Sequence, residues 1–198
     1  SMQITSIIEQ KDAQPEQLAI QEVNTGILAV SAKKLNQWLP KLSSENAQGE
    51  YYLTDIISMA VQDGMQVIAE HPASAMEVQG ANNRQQVSEL ERHYQYLQAQ
   101  RLMVEGATLL DPTRVDVRGE LTIGEDIIID INCVFEGNVS IADDVEIGPN
   151  CIISNSTIGA GTIIKANTII EDSVVAENCD IGPFARLRPG TELSNRAK

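Results

Sequence analysis

Positive charge is scarce in this chain. Its 198 residues carry 14 Lys and Arg against 28 Asp and Glu, a formal net charge of −14. A nucleic-acid-binding protein gathers its basic residues on one face. Here the groupings are no larger than Lys33-Lys34, which speaks against duplex and membrane-surface binding. Cysteine is also rare. Three residues without close spacing do not make a disulfide framework and suit a reducing cytoplasm. No apolar run reaches the roughly 18 residues of a membrane span, and no signal peptide is visible. Missing too is the glycine-rich phosphate loop that usually marks the first βα turn of a doubly wound nucleotide-binding sheet.

What is present is a repeat. From Val117 onward a large apolar residue returns every six positions: Val117, Ile123, Ile129, Phe135, Ile141, Ile147 and Ile153. The beat slips by one at Ile158, continues through Ile164 and Ile170, slips again at Val175, and ends with Ile181, Leu187 and Leu193. Four residues later stands something small, as at Cys133, Val139, Val145, Cys151, Thr157, Thr162, Thr168, Val174, Cys179, Ala185 and Thr191. A helix places neighbours on one face three or four residues apart, and a half-buried strand alternates with period two. A period of six fits neither. It fits a solenoid of very short strands, three per coil, whose stacked coils bury one continuous apolar column. The three cysteines then fall on small inward positions, as buried apolar residues.

The preceding stretch is of mixed type. Residues 3–9, 22–30 and 65–70 read as strands. The second of these is interrupted near Asn24-Thr25-Gly26, a place where backbone bulges or approaches a neighbour closely. Ser31 is placed to cap a short helix running to Leu42, with Leu35, Trp38 and Leu39 inward. Tyr51 to Gln62 reads as a second helix with Leu53, Ile56, Ile57, Ala60 and Val61 on one face, stopped at Asp63-Gly64. A long helix from about Gln85 to Val104 shows a narrow apolar seam of Val87, Leu90, Tyr94 and Leu97. The domain division expected is an α/β part over 1–84, a linker helix over 85–105 and the repeat over 106–198. So few strands make a poor doubly wound sheet, which leads us to expect a piece of a longer protein.

Several segments together resemble one family. They are Ile8-Glu9-Gln10-Lys11-Asp12-Ala13, Glu22-Val23-Asn24-Thr25-Gly26-Ile27, Asn46-Ala47-Gln48-Gly49-Glu50-Tyr51-Tyr52-Leu53-Thr54-Asp55, Gly80-Ala81-Asn82-Asn83-Arg84 and Ile181-Gly182-Pro183-Phe184-Ala185-Arg186-Leu187-Arg188-Pro189-Gly190. Their order and spacing are similar to the bifunctional bacterial N-acetylglucosamine-1-phosphate uridyltransferase and glucosamine-1-phosphate acetyltransferase family. The resemblance implies a remnant of a Rossmann-like nucleotidyltransferase domain followed by a left-handed parallel β-helix of hexapeptide repeats. It implies a parent enzyme that acetylates glucosamine-1-phosphate with acetyl-CoA and couples the product to UTP, giving UDP-N-acetylglucosamine for peptidoglycan and lipopolysaccharide precursors. It also implies Mg²⁺, a homotrimer built on the β-helix, and a cytoplasmic location. The family's nucleotide loop, metal aspartate, catalytic histidine and acetyl-CoA-binding coils have no match here, so this polypeptide is expected to catalyse neither reaction alone.

Carried over position by position, Glu9 and Asn24 would hydrogen-bond the sugar of the sugar nucleotide. Asn82 would bind substrate and help hold Mg²⁺, and Arg188 would bind the amino-sugar phosphate. The residue types suit the tasks. A sugar hydroxyl donates to a carboxylate, and an amide both donates and accepts. Mg²⁺ takes hard oxygen ligands and shares them with phosphates. A guanidinium meets a phosphate through two charge-assisted bonds. Plainer readings stand beside these: a solvated carboxylate at Glu9, a turn former at Asn24, a helix cap at Asn82, and surface charges at Arg186 and Arg188. Two other functions also fit the repeat. One is a trimerising structural β-helix module; the other is a different sugar-nucleotide pyrophosphorylase with a hexapeptide tail.

Overall fold

The computed structural model describes residues 4–198. The chain divides into two compact units, Ser1–Gly80 and Ala81–Lys198, and each is described by itself.

The first unit is built around two short helices. Helix α1, Ala32–Trp38, starts at Ser31, whose Oγ accepts the Lys34 N–H at 3.3 Å, as an N-cap should. It runs into a single 3₁₀ turn, Leu39–Lys41, holding Pro40. Helix α2, Ile56–Gln62, is entered through a second such turn, Leu53–Asp55. It ends where Gly64 adopts φ 75°, a left-handed conformation that glycine enters without steric cost. Trp38, Ile56 and Ala60 form the buried centre, with Leu28, Leu35, Leu42, Ile57, Met59 and Val67 packed on it. The Trp38 Nε1–H donates to Asp63 Oδ2 at 3.1 Å, and Lys34 Nζ pairs with the same oxygen at 3.0 Å.

Several expectations for this unit are corrected. Leu39 and Leu53 are exposed, because each lies in a 3₁₀ turn and its side chain leaves the face expected for a continuous α-helix. The segments expected as strands run without ladder pairing over their described residues. A strand is defined by hydrogen bonds to a neighbour, and no strand pairs among the described residues of this unit. Gln3, in the first of those segments, lies outside the described residues.

The second unit begins with helix α3, Arg84–Val104. Asn83, not Asn82, is its N-cap: the Asn83 Oδ1 accepts the Gln86 N–H at 2.9 Å. Beyond it comes a parallel β-solenoid of about five turns, the architecture of a left-handed β-helix. Three columns of inward residues run through it. The registers are Leu109, Ile129, Ile147, Ile164, Ile181 on one wall and Val117, Phe135, Ile153, Ile170, Leu187 on the second. The third holds Ile123, Ile141, Ile158, Val175 and Leu193. All fourteen residues of the six-beat pattern stand in these columns, joined by Leu109. The upper coils repeat at 18 residues, as from Ile129 to Ile147. The two slips shorten the repeat to 17, as from Ile141 to Ile158.

The corners explain the composition. Three residues after the inward one, the backbone turns left-handed at Asp126, Asn132, Asp144, Asn150, Gly161, Asn167, Asn178 and Gly190, with φ between 55° and 82°. Asn and Asp tolerate this region and glycine enters it freely. The turn aims the corner N–H back at the coil before it: Asn150 donates to Ile131 O at 2.9 Å and Asn178 to Ala160 O at 2.8 Å. At the two shortened corners the left-handed residues are Asn155 and Asp172, one place earlier.

That shortening overturns two expected inward positions. Thr157 is exposed and Val174 is 51% exposed, while Ser156 and Ser173 occupy the interior. With one residue removed, the small inward partner comes three places after the large one, not four. The inserted hydroxyls stay paired: Ser156 Oγ donates to Ser154 O at 2.7 Å and accepts from Ser173 N at 3.0 Å. Cys133, Cys151 and Cys179 are buried free thiols, each aimed at a backbone carbonyl 3.3 Å away on the next coil. Cys151 and burial hold the Cys133 thiol above its ordinary pKa.

The seam expected on α3 is also displaced. Val87, Tyr94 and Leu97 are exposed, and the buried residues are Gln95, Ala99 and Leu102. Ala99 and Leu102 belong to the solenoid's apolar cluster, so the helix closes the first coil with its C-terminal half. The polar Gln95 points inward because backbone groups of that coil await it.

Candidate substrate-binding residues

Glu9 is half-buried in the first unit. One carboxylate oxygen, Oε1, accepts the Thr54 hydroxyl at 3.3 Å. Three residues on, Asp12 accepts twice, from the Ala47 N–H at 2.8 Å and from the Tyr52 hydroxyl at 3.1 Å. Gln48 Nε2 donates to that same phenol oxygen at 2.9 Å, and Lys11 Nζ donates to Gln48 Oε1 at 2.9 Å. Burial raises the Tyr52 pKa, opposed by the Gln48 bond and reinforced by the Asp12 charge. Asn46 folds the loop on itself, its Oδ1 accepting from the N–H groups of Gln48 at 3.1 Å and Glu50 at 3.2 Å. Two of the segments that carry the family resemblance therefore meet in space.

The other candidates are more open. Asn24 is exposed and precedes Gly26, which takes φ 81°; no side-chain hydrogen bond is recorded for it among the described residues. Asn82 lies in the second unit and is exposed, with its own N–H donating to Gln86 Oε1 at 2.6 Å. Because Asn83 does the capping, the Asn82 side-chain carbonyl remains available. Arg186 and Arg188 part company. Arg186 is held by Glu171 through Nε and Nη2, at 3.1 and 3.0 Å, whereas the exposed Arg188 guanidinium has no recorded partner among the described residues. The Arg188 backbone is fixed, its carbonyl accepting from Ser173 Oγ at 3.2 Å and from Thr191 N at 3.1 Å. Glu9 and Asn24 belong to the first unit, Asn82 and Arg188 to the second.

Among the described residues no group of three or more His, Cys, Asp or Glu is placed to hold a metal ion. The contacts of Glu9 and Asp12 were beyond sequence reasoning. Thr54 lies 45 residues from Glu9 and Tyr52 lies 40 from Asp12, and no periodicity links such positions. The one signal they leave in the sequence is that they fall within segments resembling the same family.

The stacked coils place the second unit in the class of hexapeptide-repeat β-helix proteins. The family model of the GMPPB C-terminal domain matches residues 117–198, beginning at the first inward residue of the regular repeat. Over 195 residues, 98% of the chain, the sequence is 63% identical to the "Bifunctional protein GlmU" of Marinobacter nauticus and 60% identical to that of Cellvibrio japonicus. The protein of the same name from Pseudomonas putida is 58% identical over the same length. The chain is thus a homologue of part of the bifunctional GlmU proteins. It spans 43% of the length of these relatives. Among the described residues no helix is long and apolar enough to cross a membrane.

Proposed function

We propose that this chain is a part of an enzyme that makes UDP-N-acetylglucosamine in two steps. In the first, the amine of glucosamine-1-phosphate attacks the thioester of acetyl-CoA and the CoA thiol leaves. In the second, the phosphate of the acetylated sugar attacks UTP and pyrophosphate leaves. The observation that carries this reading is the GlmU match, which runs through both units at 57–63% identity. The GMPPB C-terminal model covers the solenoid only, so it does not favour a different pyrophosphorylase with a hexapeptide tail.

Within this reading Glu9 accepts a sugar hydroxyl and Asn24 contacts the sugar amide or a hydroxyl. Arg188, which unlike Arg186 pairs with no carboxylate among the described residues, binds a sugar phosphate. Asn82 supplies a single oxygen ligand, which suits Mg²⁺ because that ion keeps several waters and shares phosphate oxygens. Bound there, it would offset charge developing on the phosphates. One amide is an incomplete donor set, so this chain alone is expected to hold the ion weakly. A homotrimer through the solenoid belongs to the same reading, supported by exposed Ile128, Ile152, Ile163 and Val174 on its outer walls. So does a cytoplasmic location, supported by three thiols that remain free.

The test has two arms. Incubated with acetyl-CoA and glucosamine-1-phosphate, or with UTP and N-acetylglucosamine-1-phosphate, the chain should show no turnover above background. Titrated with N-acetylglucosamine-1-phosphate and followed by amide NMR, it should show shifts centred on Glu9 and Asn24. Shifts confined to surfaces away from both residues would sink the assignment of the sugar site.

A further inference from the structure

We infer that Thr54 is a positioning residue for the sugar-binding carboxylate of Glu9, and that the segment from Asn46 to Thr54 is the strap that holds it. The inference rests on the reading of Glu9 as the acceptor of a sugar hydroxyl. The two oxygens of Glu9 are not equivalent. Oε1 takes the Thr54 hydroxyl at 3.3 Å, while no hydrogen bond is recorded for Oε2 among the described residues. A carboxylate pinned by one oxygen and open at the other is set to receive a single donor in a defined direction. Without the pin, the Glu side chain turns about three bonds and must lose that freedom on binding.

The strap is itself secured at both ends. Asn46 closes the turn through the N–H groups of Gln48 and Glu50. Asp12, on the same segment as Glu9, receives the Ala47 N–H and the Tyr52 hydroxyl. These bonds fix the distance between the two segments, so Thr54 meets Glu9 at one place. Among the described residues the Thr54 hydroxyl bonds to Glu9 alone, so its polar group serves that carboxylate. Side chains held in this way by neighbours bind more tightly than free ones of the same chemistry.

The test uses the whole chain, amide NMR and N-acetylglucosamine-1-phosphate as the titrant, with Thr54→Val, Thr54→Ser and Glu9→Gln. Thr54→Val keeps the shape and removes the hydroxyl; it should weaken binding about five- to tenfold, the size of one hydrogen bond lost. Thr54→Ser should restore affinity to within about twofold of the parent, a rescue that a purely structural threonine would not give. Glu9→Gln should weaken binding at least as much as Thr54→Val. Equal affinity for Thr54→Val and the parent, alongside weakened Glu9→Gln, would overturn the positioning role and leave the sugar site standing. If Glu9→Gln binds like the parent, or the parent does not bind, the reading of Glu9 fails and the inference fails with it. Equal weakening in Thr54→Val and Thr54→Ser would also overturn the inference.

Discussion

Gln95 holds Val117 by both of its backbone groups. The Val117 N–H donates to Gln95 Oε1 at 2.7 Å, and Gln95 Nε2 donates to Val117 O at 2.9 Å. An amide side chain thereby does what a neighbouring strand does elsewhere in the solenoid. The strand Val115–Ile123 pairs with Cys133–Ile141 on one side only, so its other edge would present unpaired groups. Helix α3 covers that edge, with Arg101 Nη2 adding a bond to Leu121 O at 3.0 Å and Arg92 an ion pair to Asp116 at 2.8 Å. A glutamine buried to 3% exposure on a helix is thus explained by the chain beneath it.

Replacing Gln95 by Leu keeps the bulk and strands both Val117 groups. Leaving a buried donor and acceptor unpaired should cost roughly 2–4 kcal/mol. Chemical unfolding followed by far-UV circular dichroism should show the solenoid transition at lower denaturant. Amide exchange at Val117 should also rise well above that of Phe135, which lies one coil further in. An unchanged midpoint with unchanged exchange at Val117 would show that the clamp contributes nothing.

The coils approach each other closely at the residue after the inward one. A Cβ on Gly159 would lie 2.6 Å from the backbone carbon of Ala176 and 2.8 Å from Glu177 N. Backbone cannot swing aside as a flexible side chain does, so Gly159→Ala should force two coils apart and cost about 1–3 kcal/mol. Gly80 has nothing within 4 Å of such a Cβ and no left-handed φ, so Gly80→Ala serves as the neutral control. Melting curves of the two variants should separate clearly; superimposable curves would contradict the packing.

Corner residues should obey backbone conformation more than side-chain chemistry. Asn150 sits at φ 60° and accepts from Asn132 Nδ2 at 2.9 Å on the coil before it. Asn150→Ala keeps a Cβ in the left-handed region without the short polar group that makes asparagine tolerated there, and it removes the bond, for a loss of about 1–2 kcal/mol. Asn150→Gly removes only the exposed side-chain bond and should lose less than half of that. The order of the two melting temperatures decides the matter, and a glycine variant less stable than the alanine one would refute the corner argument.

How far the sequence could be read depends on which forces set each feature. The three columns follow from a local six-residue beat, so Val117 through Leu193 were legible one by one. Even the slips at Ile158 and Val175 announced shortened coils. What a slip does inside the coil was not legible, because Ser156 displaces Thr157 only once the corner has closed. The α3 face misled for a related reason. An apolar seam is the usual mark of a packed face, but Gln95 is drawn inward by Val117, which lies 22 residues away. Thr54 and Glu9 share a family resemblance in the sequence but no visible contact, since nothing in a linear pattern brings position 54 to position 9.

Acid should loosen the first unit through Asp63. Its carboxylate takes a hydrogen bond from Lys34 and another from Trp38 Nε1, and these, the Lys34 bond first, hold its pKa below the usual value of 3.8. A group whose pKa is depressed on folding contributes stability above its unfolded pKa and loses it as pH falls through the folded one. The contribution should therefore be intact at pH 6, begin to decline near pH 4 and be gone once the folded carboxyl is protonated. The chain's single tryptophan is Trp38, so its fluorescence during urea unfolding reads this unit directly. Asp63→Asn can still accept from the indole but offers Lys34 no charge. Between pH 6 and pH 3 its unfolding midpoint should fall less than that of the parent. Parallel pH profiles for the two proteins would remove Asp63 from the account of acid sensitivity and leave the Trp38 contact as packing alone.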